Sequence, residues 1–136
     1  MLKPRTKSER RVLTFSRLAV PAALSLLLPL PAAAQPAQVV IQLANFSLAP
    51  KPIELAAGKP VTLTFENRAG SGHDFTAKEF FAASAITAGA VPGGKVELAA
   101  HETKTITLVP RAGTHDAHCS HFLHASMGMT DQIVVR

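Results

Sequence analysis

The chain has 136 residues, 47% hydrophobic and 17% charged, with seven Phe, no Trp or Tyr and a single Cys. That excludes a disordered chain, a disulfide scaffold and a polytopic membrane protein, and it leaves room for one domain. The net charge of +5 resides in residues 1–34, where Lys3, Arg5, Lys7, Arg10, Arg11 and Arg17 face only Glu9, whereas residues 35–136 carry eight basic and eight acidic side chains. A neutral body gives no electrostatic reason for a nucleic-acid partner.

Residues 1–34 read as an export signal. A basic stretch from Lys3 to Arg17 precedes an uncharged, Leu- and Ala-rich run from Leu18 to Leu30, and Ala32-Ala33-Ala34 offers a small-residue cleavage site. The apolar run is interrupted by Pro21 and Pro29 and falls short of the roughly 20 residues that span a membrane. Arg10-Arg11 is compatible with twin-arginine export, but Glu9 stands where such signals usually carry Ser or Thr, so the general secretory route stays open. Either route places residues 35–136 in an exported compartment, with a bacterial periplasm as the expectation. A lone Cys119 in that compartment has no internal disulfide partner. It must be buried, paired with another chain, or held by a metal.

From residue 35 onward the pattern is all-β. Val39–Leu43 begins as an apolar run and passes into alternation. Val61-Thr-Leu-Thr-Phe65 alternates cleanly, as do Lys95–Leu98 and Thr103–Val109, and Ile133–Val135 closes the chain. Gly58-Lys-Pro60, Ala69-Gly-Ser-Gly72, Pro92-Gly-Gly94 and Arg111-Ala-Gly113 separate these runs as turns. Short strands at such spacing predict a sandwich or barrel. Lys78–Thr87 is richer in helix formers and predicts one short helical segment over a sheet edge.

The last quarter concentrates unusual chemistry. His115, His118, Cys119, His121, His124, Met127 and Met129 fall within 15 residues, and His73 follows the Gly-rich turn. Thiolate and thioether sulfurs suit Cu(I), while imidazole also tolerates Cu(II). A Cys ending one strand, a loop carrying His and a Met before the next strand can wrap one ion, with His73 pinning the loop to the sandwich. The residues alone leave His121 as an alternative to His124, and Met127 as an alternative to Met129. They also permit zinc on Cys119, His121 and His124. If residues 114–119 form a strand, His118 faces away from Cys119 and His115 shares its side. His115, His118 and His121 are then either solvated histidines or a second, more exposed metal or partner contact, while His101 sits in a polar turn.

Phe46-Ser-Leu-Ala-Pro50, Gly58–Asn67, His73-Asp-Phe75 and Gly113-Thr-His-Asp-Ala-His-Cys119, followed by His124, Met129 and a final apolar strand, resemble the cupredoxins, the small blue-copper fold of plastocyanin and azurin. The resemblance covers residues 38–136 and is greatest to short, periplasmic, single-domain bacterial cupredoxins. It implies a Greek-key β-sandwich holding one copper ion, with His73, Cys119 and His124 as equatorial ligands and Met129 as the axial one. Asp74 and Asn67 are expected to fix the ligand loops. Phe75, Phe80, Phe81 and Phe122 are expected to shield the site or fill the core.

Two functions follow as expectations. The first is one-electron transfer by a mononuclear copper protein between larger redox partners. The alternative is copper handling, in which the chain binds, buffers or delivers Cu(I) to a copper-trafficking partner. Four protein donors leave no open position for a substrate, and no nucleophile motif is present, so the chain is not expected to be an enzyme. A monomer is expected, touching the membrane only through its export signal.

Overall fold

A computed structural model describes residues 34–136. The expected export signal therefore lies outside the described residues, apart from Ala34. Among the described residues, no helix is long and apolar enough to cross a membrane.

The strands predicted from alternation form, because each buries one face. Strand β4 (Val61–Asn67) places Val61, Leu63, Phe65 and Asn67 inward and leaves the intervening residues half-exposed. It runs parallel to β1 (Ala37–Ala44) and antiparallel to β8 (Thr103–Val109). A two-residue turn at Asn45-Phe46 joins β1 to the short β2 (Ser47–Ala49). With β6 (Ala85–Ala88) at the other edge, the first sheet has the order β2-β1-β4-β8-β6.

The second sheet has the order β3-β10-β9-β5-β7. Its strands are β3 (Ile53–Leu55), β5 (His73–Thr76), β7 (Lys95–Leu98), β9 (Gly113–His118) and β10 (Thr130–Val135). Non-consecutive strands neighbour one another in both sheets, as the expected Greek-key sandwich requires. Side chains from the two inner faces fuse into one core. Ile41, Leu43, Leu63, Phe65 and Leu108 come from the first sheet, and Ile53, Phe75, Leu98 and Ile133 from the second. Phe65 meets Phe75 with ring centroids 4.9 Å apart, tying the sheets together beside His73.

The helical expectation for Lys78–Thr87 is half correct. Helix α1 covers Lys78–Ala83 and buries Phe80 and Phe81. The chain then turns extended at Ser84, whose hydroxyl donates to the Phe80 carbonyl at 2.8 Å. β-Branched Ile86 and Thr87 favour a strand, and Ile86 pairs with Leu108 to make β6 an edge of the first sheet. That long-range partner decides the conformation.

Candidate metal centre

Strand β5 delivers the first donor. All four of its residues are buried, since β7 and β9 flank it and the loop after Cys119 covers its outer face. Asn67, itself 3% exposed, shapes the approach to His73. Its amide donates to the carbonyls of Ser71 and Ala99, both at 2.8 Å, and its oxygen accepts the Ala69 N–H at 3.0 Å. These three bonds close the Gly-rich turn immediately ahead of His73.

The remaining donors come from the segment between β9 and β10. Its ends are tied by the Cys119 N–H, which donates to the Met129 carbonyl at 3.1 Å, and its interior is a chain of tight turns. The Met129 N–H donates back to the His124 carbonyl at 3.1 Å. Gly128 takes φ +103°, a left-handed conformation that glycine adopts without a steric penalty. Asp74 anchors the loop start: its wholly buried carboxylate accepts from Ser120 N–H at 2.9 Å, from Thr76 Oγ1 at 2.7 Å and from Ser120 Oγ.

The result is a convergence of three donor atoms. His73 Nδ1 and His124 Nδ1 are 3.1 Å apart, and Cys119 Sγ lies 3.8 Å from the first and 3.4 Å from the second. A circle through the three atoms has a radius of about 2.0 Å, the distance at which first-row metal ions bind imidazole nitrogen. Cys119, His73 and Met129 are each 0% exposed. A buried thiol is unavailable to a second chain, which removes the intermolecular disulfide from the options for Cys119.

Asn45, which the sequence did not single out, and Phe46, which it offered only as the start of a family-like stretch, complete the setting. Asn45, in the β1–β2 turn, places Oδ1 3.2 Å from His73 Nε2. Accepting that N–H leaves the lone pair on Nδ1, the tautomer a metal ligand needs. Phe46, next along the turn, lies edge-on to His124 with centroids 5.4 Å apart. In the sequence Asn45 only follows the Val39–Leu43 run, and nothing local connects it to His73.

Burial dominates the proton chemistry. It lowers the His73 pKa from the ordinary imidazole value, with the His124 and His121 rings adding to the effect and Asp74 opposing it. Burial also pushes the Cys119 thiol up, while the backbone N–H groups of Asp74 and His121 pull it down. The Asp74 N–H lies 3.5 Å from Sγ. His73 is thus held neutral and ready to bind, and the thiol gives up its proton when a metal takes it.

The other candidates lie elsewhere. His121 does not join Cys119 and His124 in the converging set; its Nε2 faces Glu97 Oε1 at 2.6 Å and Asp74 Oδ2 at 3.6 Å. The zinc trio proposed for Cys119, His121 and His124 is therefore not the group that the fold gathers. Met127 is 56% exposed, in contrast to Met129. His115 shares the inner side of β9 with Ala117, as the parity argument expected, and packs on Phe80 at 5.8 Å. Phe75, Phe80 and Phe81 are core residues, but Phe122 is 87% exposed. The expectation that it shields the site fails because the tight turns carry it outward.

A buried imidazole, a half-buried one, a buried thiol and a buried thioether make a mixed soft and borderline donor set, and it fits a single copper ion. The comparisons with known proteins agree. Residues 16–135 match the cupredoxin-like domain family. Among solved structures, the chain is similar to a dithionite-reduced auracyanin from Roseiflexus castenholzii, with 18% identity, TM-score 0.56 and coverage of 76% of this chain and 99% of that one. It is also similar to auracyanin B, with 20% identity, TM-score 0.55 and coverage of 77% and 93%. A multicopper oxidase from Campylobacter jejuni aligns at 11% identity and TM-score 0.57 over 80% of this chain but only 32% of its own length. At such identities these structures speak for the fold alone. No curated protein matches the chain. The family match, spanning nearly the whole sequence, establishes that this chain belongs to the cupredoxin-like proteins.

Proposed function

We infer that this protein is an exported, periplasmic one-electron carrier that holds one copper ion through His73 Nδ1, Cys119 Sγ, His124 Nδ1 and the Met129 thioether. The observation that carries this reading is the convergence of the two Nδ1 atoms and Sγ within 3.8 Å in a buried setting. Copper supplies the couple between Cu(I) and Cu(II). The residues supply a fixed cage: Asn45 holds the His73 tautomer, Asp74 holds the loop start, and burial keeps water from His73, Cys119 and Met129 while His124 stays partly open to solvent. A cage that moves little between the two states keeps the reorganisation energy small. No substrate position follows from four protein donors, so the role is transfer and not catalysis.

Leu123, Phe122 and Met127 stand exposed on the same loop as His124, an apolar face on which a redox partner could dock. Exposed Met127 also supports the second reading, delivery of Cu(I) to a trafficking partner, because thioether sulfur is a soft ligand. Cyclic voltammetry of the copper-loaded protein with a Cu(I) chelator in solution separates the two. A carrier cycles reversibly and keeps its metal; a delivery protein loses copper to the chelator on reduction.

A further inference from the structure

Beside the first donor set, Asp74, Glu97 and His121 bring two carboxylates and an imidazole together, with their ligand atoms within 4.8 Å of one another. Three segments supply them: β5, β7 and the loop after Cys119. Asp74 and Glu97 are direct partners in the antiparallel β5–β7 ladder, on the face opposite Phe75 and Val96. Like charges facing each other across a ladder repel, and here the Asp74 carboxylate is wholly buried. His121 Nε2 sits against both, 2.6 Å from Glu97 Oε1 and 3.6 Å from Asp74 Oδ2. One ring N–H serves one acceptor, so a proton given to Glu97 leaves Asp74 Oδ2 facing that nitrogen beyond hydrogen-bond distance. Lys95 meets Glu97 from the solvent side at 3.2 Å.

We propose that Asp74, Glu97 and His121 form a second metal site, selective for a divalent cation that accepts oxygen and nitrogen donors, as Zn²⁺ does. A divalent ion places two positive charges where one imidazole N–H now reaches only one of two facing carboxylates. The set contains no sulfur, so it does not compete for Cu(I), and imidazole with carboxylates suits borderline divalent ions. Asp74 forms the buried wall. The Glu97 and His121 side chains, 50% and 32% exposed, leave an entry path and room for water to complete the coordination.

The second site touches the first. The Asp74 N–H donates to Cys119 Sγ, its carboxylate holds Ser120, and the His121 ring stacks near His73 with centroids 6.3 Å apart. A cation there cancels negative charge beside the thiolate. That disfavours Cu(II) more than Cu(I) and raises the midpoint potential. This coupling rests on the copper reading above; the site itself does not.

The test is a calorimetric titration with Zn²⁺ of the copper-loaded protein and of the Cys119→Ser variant. The proposal expects one further Zn²⁺ per chain in the copper-loaded protein. It expects affinity to fall about tenfold or more with Glu97→Gln and with His121→Asn in both backgrounds. Zinc should also raise the copper midpoint potential, and Glu97→Gln should abolish that rise. No zinc uptake by the copper-loaded protein, or uptake that both variants leave unchanged, overturns the site. Variant-sensitive zinc binding in a protein that never turns blue would uphold the site and refute the copper reading instead.

Discussion

Asp74 is the residue whose removal should cost the fold most outside the apolar core. Its carboxylate, 0% exposed, accepts the Ser120 N–H, the Thr76 hydroxyl and the Ser120 hydroxyl. Hydrogen bonds to a charged acceptor contribute about 1.5–3 kcal/mol each, and a buried donor left without a partner loses a similar amount. In Asp74→Ala the two hydroxyls can rotate toward other acceptors, whereas the Ser120 N–H cannot. One full loss and two partial ones give a destabilisation of about 3–5 kcal/mol. For a domain of this size that lowers the melting temperature by at least about 12 °C. Asp74→Asn retains an oxygen for the Ser120 N–H and relieves repulsion from Glu97, so it should cost only about 1–2 kcal/mol. Equilibrium urea unfolding of the metal-free proteins, followed by far-UV circular dichroism, measures both. A cost below about 1 kcal/mol for the alanine variant, or equal costs for the two variants, would refute the assignment of Asp74 as the anchor of the loop.

Met129→Leu should leave copper bound and raise its potential, because removing a weak thioether donor destabilises Cu(II); Met127→Leu should change the potential little. Voltammetry decides, and the opposite ranking would transfer the axial role to Met127. Asn45→Ala frees the His73 tautomer and should weaken copper binding about 10–100-fold in a chelator competition. The lowered His73 pKa fixes a sign for stability. The folded state prefers neutral His73, so its contribution is intact above the unfolded value of 6.5 and is lost as pH falls below it. Urea stability of the metal-free protein should therefore drop between pH 7.5 and 5.5, and the drop should shrink in His73→Gln.

The sandwich was legible because its long strands alternate. Val61, Leu63 and Phe65 announce a half-buried strand without help from any other segment. Strand β6 was not legible: Ala85–Ala88 follows a good helical stretch, and only its pairing with β8, some twenty residues on, makes it extended. The donor cluster stood out because Cys119, His124 and Met129 are close in sequence. Its support did not. Asn45 lies 28 residues before His73 and reaches it through a hairpin turn, and no local pattern encodes that approach. Phe122 misled for the opposite reason: hydrophobicity indicates burial only where a period fixes the face, and a chain of tight turns has no period. The acidic neighbours of His121 arise from the register of β5 on β7, which pairs Asp74 with Glu97.

The central claim is that Cys119 Sγ and the two Nδ1 atoms hold one copper ion as a trigonal thiolate site. A visible absorption spectrum and an EPR spectrum of the same Cu(II)-loaded sample test it most directly. The account predicts an intense thiolate-to-copper band with narrow copper hyperfine splitting, both lost in Cys119→Ser and retained in His121→Ala. A colourless Cu(II) protein, or a band that survives Cys119→Ser, would contradict it.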